Sequence, residues 1–125
     1  MYRLSLTRSF TARHFLVGGD WGEENQLHAH PYRLEVVLEG PELDSHGYLV
    51  DLVAVERLLD DQIGRVQDRT LNELPAFAGL NPSLEHFARI LATALADGLP
   101  RSLSAVEVRV WESESAWASY RLDLR

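Results

Sequence analysis

The chain has 125 residues, a formal net charge of −7 and 46% apolar residues. That is the size and composition of one folded domain, residues 1–125, and not of a disordered or fibrous chain. Cysteine is absent, which excludes disulfides, thiolate metal sites and thiol nucleophiles together. All twelve basic residues are Arg, set against nineteen Asp and Glu with no basic cluster, so nucleic acid is not an expected partner. The opening stretch MYRLSLTRSF has no apolar run of signal-peptide length, and nowhere do about 18 apolar residues follow one another, so no membrane association is expected. The reading is a soluble cytoplasmic domain.

In chain order, Tyr2, Leu4 and Leu6 alternate with Arg3, Ser5 and Thr7, the pattern of a strand with one buried face, which continues through Phe10 and Ala12 toward His14. Gly18-Gly19-Asp20 and Gly22 break the pattern and predict a loop reaching to about Gln26. Residues 32–39 form a second apolar, β-branched run, stopped by Gly40-Pro41, with a polar turn at 44–47. Leu52, Val55, Leu59, Ile63 and Val66 then recur at helical steps, with Asp51 as the expected N-cap. A second helix is predicted with Asn81 as N-cap, Pro82 in its first turn, and Leu84, Phe87, Ala88, Leu91 and Leu95 on one face. Gly98 and Pro100 end it. Two closing strands are read from Val106, Val108 and Val110, and from Tyr120, Leu122 and Leu124 alternating with Arg121, Asp123 and Arg125. The order β-β-α-α-β-β predicts an α+β fold, a four-stranded antiparallel sheet with two helices on its single buried face. Such a sheet leaves two open edges, and joining them between subunits into a barrel would cover them, so an oligomer is expected.

Three of the five histidines are placed for chemistry. His28 and His30 stand two apart where the second strand begins, so both rings point to one face, and a hairpin would bring His14 beside them. Three neutral imidazoles without a thiolate suit Zn²⁺ and leave its fourth position open. His46 sits in a Gly-containing turn and reads as a solvent-exposed ring. His86, at the start of the second helix, is closer to the expected site. Glu112 ends the third strand, where a carboxylate can accept two hydrogen bonds from a guanidine-like ligand edge.

Six segments, in order and with matching spacing, resemble the 6-pyruvoyl-tetrahydropterin synthase and 6-carboxy-tetrahydropterin synthase (QueD) family. They are Phe10 to His14, Leu27 to Tyr32, Gly47 to Asp51, Leu71-Asn72, Asn81 to Glu85, and Trp111 to Ser113. The resemblance implies a T-fold whose β-β-α-α-β-β subunits join sheets into a barrel, a homohexamer with sites between subunits, and a lyase. It also implies zinc on His14, His28 and His30, a pterin edge held by Glu112, and a pocket lined by Ser83 to Glu85. The implied substrate is 7,8-dihydroneopterin triphosphate.

The chain departs from the family at the proton-transfer positions. Glu24 stands where the family has its catalytic cysteine, with Glu23 a second candidate, and a desolvated carboxylate can act as a base. That replacement is the hallmark of a variant group that cleaves the side chain to 6-hydroxymethyl-dihydropterin. Gln67-Asp68 replaces the family's Asp-His pair, leaving Asp68 as a second candidate proton mover. Ala29 replaces the glycine between the paired histidines. Two functions follow from this pattern: a zinc-dependent pterin lyase or aldolase using Glu24 and Asp68, or a degenerate member that binds a pterin-like ligand without the standard reaction. Gly22, His28, His30 and Glu35 also match the first motif of cupin barrels, but the second motif is missing and helices fill the middle of the chain.

Overall fold

A computed structural model describes residues 1–124. Six main elements follow one another: β1 (Tyr2–His14), β2 (His28–Gly40), α1 (Leu52–Gly64), α2 (Leu84–Ala96), β3 (Ala105–Trp111) and β4 (Trp117–Asp123). The strands form one antiparallel sheet in the order β1-β2-β3-β4. The predicted β-β-α-α-β-β order and antiparallel sheet are therefore what the chain adopts.

Alternation along β1 and β2 turns Leu6, Phe10, Ala12, Tyr32, Leu34, Val36 and Leu38 to one face, where the helices cover them. α2 packs against β3 and β4, and α1 packs against α2. The apolar stripe of α2, Phe87, Ala88, Leu91 and Leu95, is buried as its spacing requires. An aromatic cluster locks this layer. Tyr32 stacks on Phe10 at 5.5 Å, and Phe87 meets Tyr32 edge-on at 5.2 Å and Phe10 at 5.9 Å. The opposite face of the sheet carries ion pairs between Arg109 and Glu35 and between Arg121 and Glu39.

β2 starts at His28, where the sequence reading puts the paired histidines, and Ala29 and Pro31 point outward and keep the alternation going. Other boundaries differ from the sequence reading. α1 ends at Gly64, so Val66 is buried from the following turn instead of from the helix, and Leu52 is 43% exposed. Asp51 does cap α1, accepting from the amides of Val53 and Ala54. Asn81 does not cap α2. Ser83 does, its hydroxyl accepting from the His86 amide at 3.1 Å, while the Asn81 side chain is taken by Val17 N–H at 3.0 Å. β4 begins at Trp117, and the sequence reading of this strand through Arg125 ends outside the described residues.

β1 is an edge strand whose far end is capped by the chain itself. The Asp68 amide donates to Thr11 O at 2.7 Å, and the Arg13 amide donates to Arg69 O at 2.8 Å. Among the described residues, the rest of β1 and the outer edge of β4 have no strand partner.

Truncating Phe87 removes the ring on which Phe10, Tyr32 and Phe77 converge. Phe87→Ala should destabilise the fold by about 3–5 kcal/mol, read as a lower urea midpoint at unchanged slope.

Candidate metal centre and its pocket

The strand register builds the centre. His14 lies directly across from His28, and His30 lies across from Ala12, on the same face as the aromatic layer but beyond it. Antiparallel neighbours on one face stand about 4.5–5.5 Å apart at Cβ, so three imidazoles are forced together at the open end of the hairpin. The small Ala12 side chain, fully buried, leaves that space to the rings. His14 Nε2 is 3.0 Å from His28 Nε2, which is 3.0 Å from His30 Nε2.

Hydrogen bonds to backbone carbonyls fix the tautomers of two rings. His14 Nδ1 faces Pro82 O at 3.0 Å and His28 Nδ1 faces Gln26 O at 2.7 Å. A carbonyl oxygen only accepts, so each Nδ1 carries the proton and each Nε2 presents a lone pair to the centre. Glu24 adds a carboxylate, its Oε2 2.9 Å from His28 Nε2. The donor atoms of His14, Glu24, His28 and His30 all lie within 4.8 Å of one another. Lone pairs converging at such distances repel unless a cation sits among them. A tetrahedral ion with ~2.0–2.1 Å bonds needs nitrogens roughly 3.3 Å apart, close to the spacing found, and nitrogen with oxygen donors suits Zn²⁺. The residues fit a metal.

Glu24 is delivered by a loop that is irregular but firmly tied. Residues Gly22–Asn25 form a 3₁₀ turn, and Leu16 N–H donates to Glu24 O at 2.9 Å. Asn25 stitches the loop from within. Its amide donates to Leu16 O and Gly19 O, and its oxygen accepts from Trp21 N–H at 2.7 Å. Asn72 clamps the exit of β1, donating to Phe15 O at 2.9 Å and accepting from Phe15 N–H at 3.0 Å. Gly19 lies under the Trp21 ring, and a Cβ there would come within 2.6 Å of it and push that exposed ring aside.

Beside the histidines lies a pocket of about 280 Å³, walled by Leu16, Trp21 and Leu84 and edged by Glu24, Ser83, Glu85 and Glu112. Glu112 also borders a larger open cavity of about 590 Å³ with Arg33 and Trp111, so it stands where the two meet. Its Oε2 is 3.9 Å from His30 Nε2. Ser83 spends an acceptor lone pair on the cap of α2 and keeps its hydroxyl proton free to donate. Glu85 is exposed at the rim.

The structure thus brings together His14, His28, His30, Glu24, Glu112, Ser83 and Glu85. It does not bring Asp68 to them within one chain. Asp68 is exposed on the outer edge of β1, held at φ 58° with its carbonyl accepting from Arg13 Nη2 at 2.6 Å. Glu23, the second candidate, does not belong to the ligand group. His86 turns its Nδ1 to Asn81 O at 2.7 Å, and His46 is exposed in its turn. Sequence reasoning missed Asn25 as the loop's internal tie and Trp21 as a pocket wall. An Asn next to two glutamates in a Gly-rich stretch was the available signal.

The four-stranded antiparallel sheet covered by two helices, with histidines from a strand pair at one end, defines the T-fold class. A Caenorhabditis elegans 6-pyruvoyl tetrahydropterin synthase structure superimposes with a TM-score of 0.85 at 21% identity, covering 98% of this chain and 96% of that one. Residues 3–123 match the 6-pyruvoyl tetrahydropterin synthase family, and the chain belongs to it. A Pyrococcus furiosus dihydroneopterin monophosphate aldolase is 29% identical over 88% of this chain and 89% of its own length. A Bacillus subtilis 6-carboxy-5,6,7,8-tetrahydropterin synthase is 25% identical over 96% of this chain and 85% of its own length. Family membership makes the chain a pterin-processing, lyase-like enzyme. No helix among the described residues is long and apolar enough to cross a membrane.

Burial, above all, holds the pKa of His14 below its ordinary value, against the opposing pull of the Pro82 carbonyl. In the metal-free protein the unfolded chain therefore takes up a proton on this residue before the folded chain does. This contribution to stability is whole above pH about 6.5 and falls as the pH drops below it. Urea midpoints of chelated protein at pH 7.5 and 5.5 should show the lower value at pH 5.5.

Proposed function

We propose that the protein is a zinc-dependent aldolase that cleaves the side chain of a phosphorylated 7,8-dihydroneopterin to leave 6-hydroxymethyl-dihydropterin. The observation that carries this reading is the position of Glu24, a carboxylate 2.9 Å from a metal-ligand histidine in a chain with no cysteine. The aldolase activity named for the Pyrococcus furiosus relative supports it.

His14, His28 and His30 hold the metal, which when bound supplies Lewis-acid polarisation of the substrate's side-chain oxygens. Glu112 accepts the paired N–H groups of the aminopyrimidinone edge, a geometry that suits a carboxylate. Leu16, Trp21 and Leu84 cover the ring and exclude water. Glu24 takes the proton of the outer of the two side-chain hydroxyls next to the ring. The carbon–carbon bond between those two hydroxyl-bearing carbons then breaks, the deprotonated oxygen becoming the carbonyl of a released two-carbon aldehyde that carries the phosphate, and the bond's electron pair passing into the ring imine. A proton returned to the remaining carbon completes the hydroxymethyl product. Burial keeps the Tyr32 phenol protonated, well above its usual pKa, so its hydroxyl beside His14 is not a base.

The working unit is an oligomer, with a hexamer as the family-derived expectation. Three features support association: the open edges of β1 and β4, the even strand number that lets β1 of one copy pair antiparallel with β4 of the next, and the exposed apolar group Tyr48, Leu52 and Val53. Asp68, on the β1 edge, reaches a site only across such an interface. Light scattering should give a mass several times 14.2 kDa, and a monomer at working concentration would refute the assembly.

Turnover decides the reaction. The mono- and triphosphates of dihydroneopterin are incubated with protein, with and without Zn²⁺, and the products analysed by mass. Metal-dependent 6-hydroxymethyl-dihydropterin is the expected product, and Glu112→Gln should weaken pterin binding by about 10-fold or more. A metal-loaded wild type that binds pterin but leaves it intact would replace this reading with a binding function.

A further inference from the structure

We propose that Glu24 is the fourth metal ligand of the resting centre, and that substrate frees it for proton transfer by displacing it. The proposal rests on the pterin reading only for the identity of the displacing group.

The tautomers carry the first half. His28 Nδ1 donates to Gln26 O, so in a neutral ring its Nε2 is an unprotonated lone pair. A carboxylate oxygen 2.9 Å from that atom is repelled unless positive charge lies between them. A proton on His28 would satisfy Glu24 alone. It would leave His14 Nε2 and His30 Nε2, each 3.0 Å from the same atom, facing a charged N–H they could not both accept. One divalent cation among all four donors satisfies every one, and the four atoms lie close enough to share it.

The second carboxylate of the site is the internal comparison. Glu112 also faces the histidines, but its nearest oxygen is 3.9 Å from His30 Nε2, beyond the inner group, and it borders the larger cavity. The two acids are therefore divided by position. Glu24 closes the centre and Glu112 stays free for a ligand edge. Backbone ties at Leu16 and Trp21 and the three hydrogen bonds of Asn25 keep the Glu24 backbone in place. The side chain, about half exposed, can swing without unfolding the loop.

The chemical consequence is a gate. A carboxylate engaged by a metal has its lone pairs committed and is a poor base. With a metal bound, a ligand offering adjacent hydroxyls would compete with Glu24 for it, and the released carboxylate would lie next to the hydroxyl it must deprotonate. The base is then available only when a side chain with two oxygens is present.

Cobalt(II) loading of the full chain tests this without reference to turnover, because its visible spectrum responds to the donor set. Glu24→Gln should change the spectrum and weaken Co²⁺ binding by at least about 10-fold in chelator competition. Glu23→Gln and Glu112→Gln should keep the wild-type spectrum. Neopterin added to wild type should shift the bands, and 6-methylpterin, which lacks the hydroxyls, should not. A Glu24→Gln spectrum superimposable on wild type overturns the proposal whatever happens to affinity, as does a wild type that takes up no Co²⁺. If Glu24→Gln does not fold, the wild-type titration decides: no shift with neopterin, or an equal one with 6-methylpterin, overturns it. Side-chain cleavage with an unchanged spectrum would sink this inference and leave the aldolase standing. A changed spectrum without cleavage would do the reverse.

Discussion

The antiparallel register between the first two strands is the constraint on which everything else depends. It sets His14 opposite His28 and Ala12 opposite His30, and in the same stroke stacks Phe10 on Tyr32 one step further in. Because side chains alternate, a slip of β2 by one residue would turn His28 and His30, together with Tyr32, Leu34, Val36 and Leu38, to the outer face of the sheet, away from His14 and the core. The hydrophobic layer is what forbids that slip. Leu34, Val36 and Leu38 have nowhere else to go once the helical layer covers the sheet. The candidate centre thus takes its precision from packing that has no chemical role, and its histidines sit where rigid strands end.

The remaining half of the centre comes from backbone with no regular structure, and its order has a different origin. Between His14 and His28 the chain makes few ladder hydrogen bonds, so side-chain amides supply them. Asn72 pairs with both polar groups of Phe15, Asn81 takes the Val17 amide, and Asn25 closes the turn that carries Glu24. Each Asn offers a donor and an acceptor at fixed spacing, mimicking a strand neighbour. The result is a loop whose backbone is positioned while its outward side chains keep their rotamers. Such a division would suit the proposed role of Glu24, which needs a carboxylate that both holds and lets go.

Electrostatics give the pocket its polarity. Glu24, Glu85 and Glu112 line it and no Arg does, in a chain already carrying a formal charge of −7. A cation on the histidines would be the positive charge of the cavity. In the proposed reaction it would let a carboxylate-rich pocket bind an oxygen-bearing side chain at one end, with Glu112 placed for N–H donors at the other. Arg33, held over the Trp111 ring at 4.8 Å, belongs to the neighbouring open cavity and not to the pocket itself.

Much of this was legible from residue order alone, because it rests on short-range periodicity. A period of two placed His28 and His30 on one face, alternation predicted each strand, and helical spacing predicted the buried face of α2. Asp51 was readable as a cap since its partners lie two and three residues on. What failed was decided by partners far along the chain. Asn81 and Ser83 are both good caps locally, and the choice fell to Ser83 because Val17, 64 residues away from Asn81, claims the Asn81 side chain. Asp68 was read beside the site, but Thr11 and Arg13 bind its backbone on the outer edge of β1. Glu24 was picked out as a base because it stands where the family has its cysteine, while its approach to the histidine nitrogens follows from Asn25 and Leu16 folding that loop inward. Local pattern determined which face each residue takes along its own element. Which donors converge, and at what distance, was settled only when hydrogen bonds across tens of residues closed the loops onto the sheet.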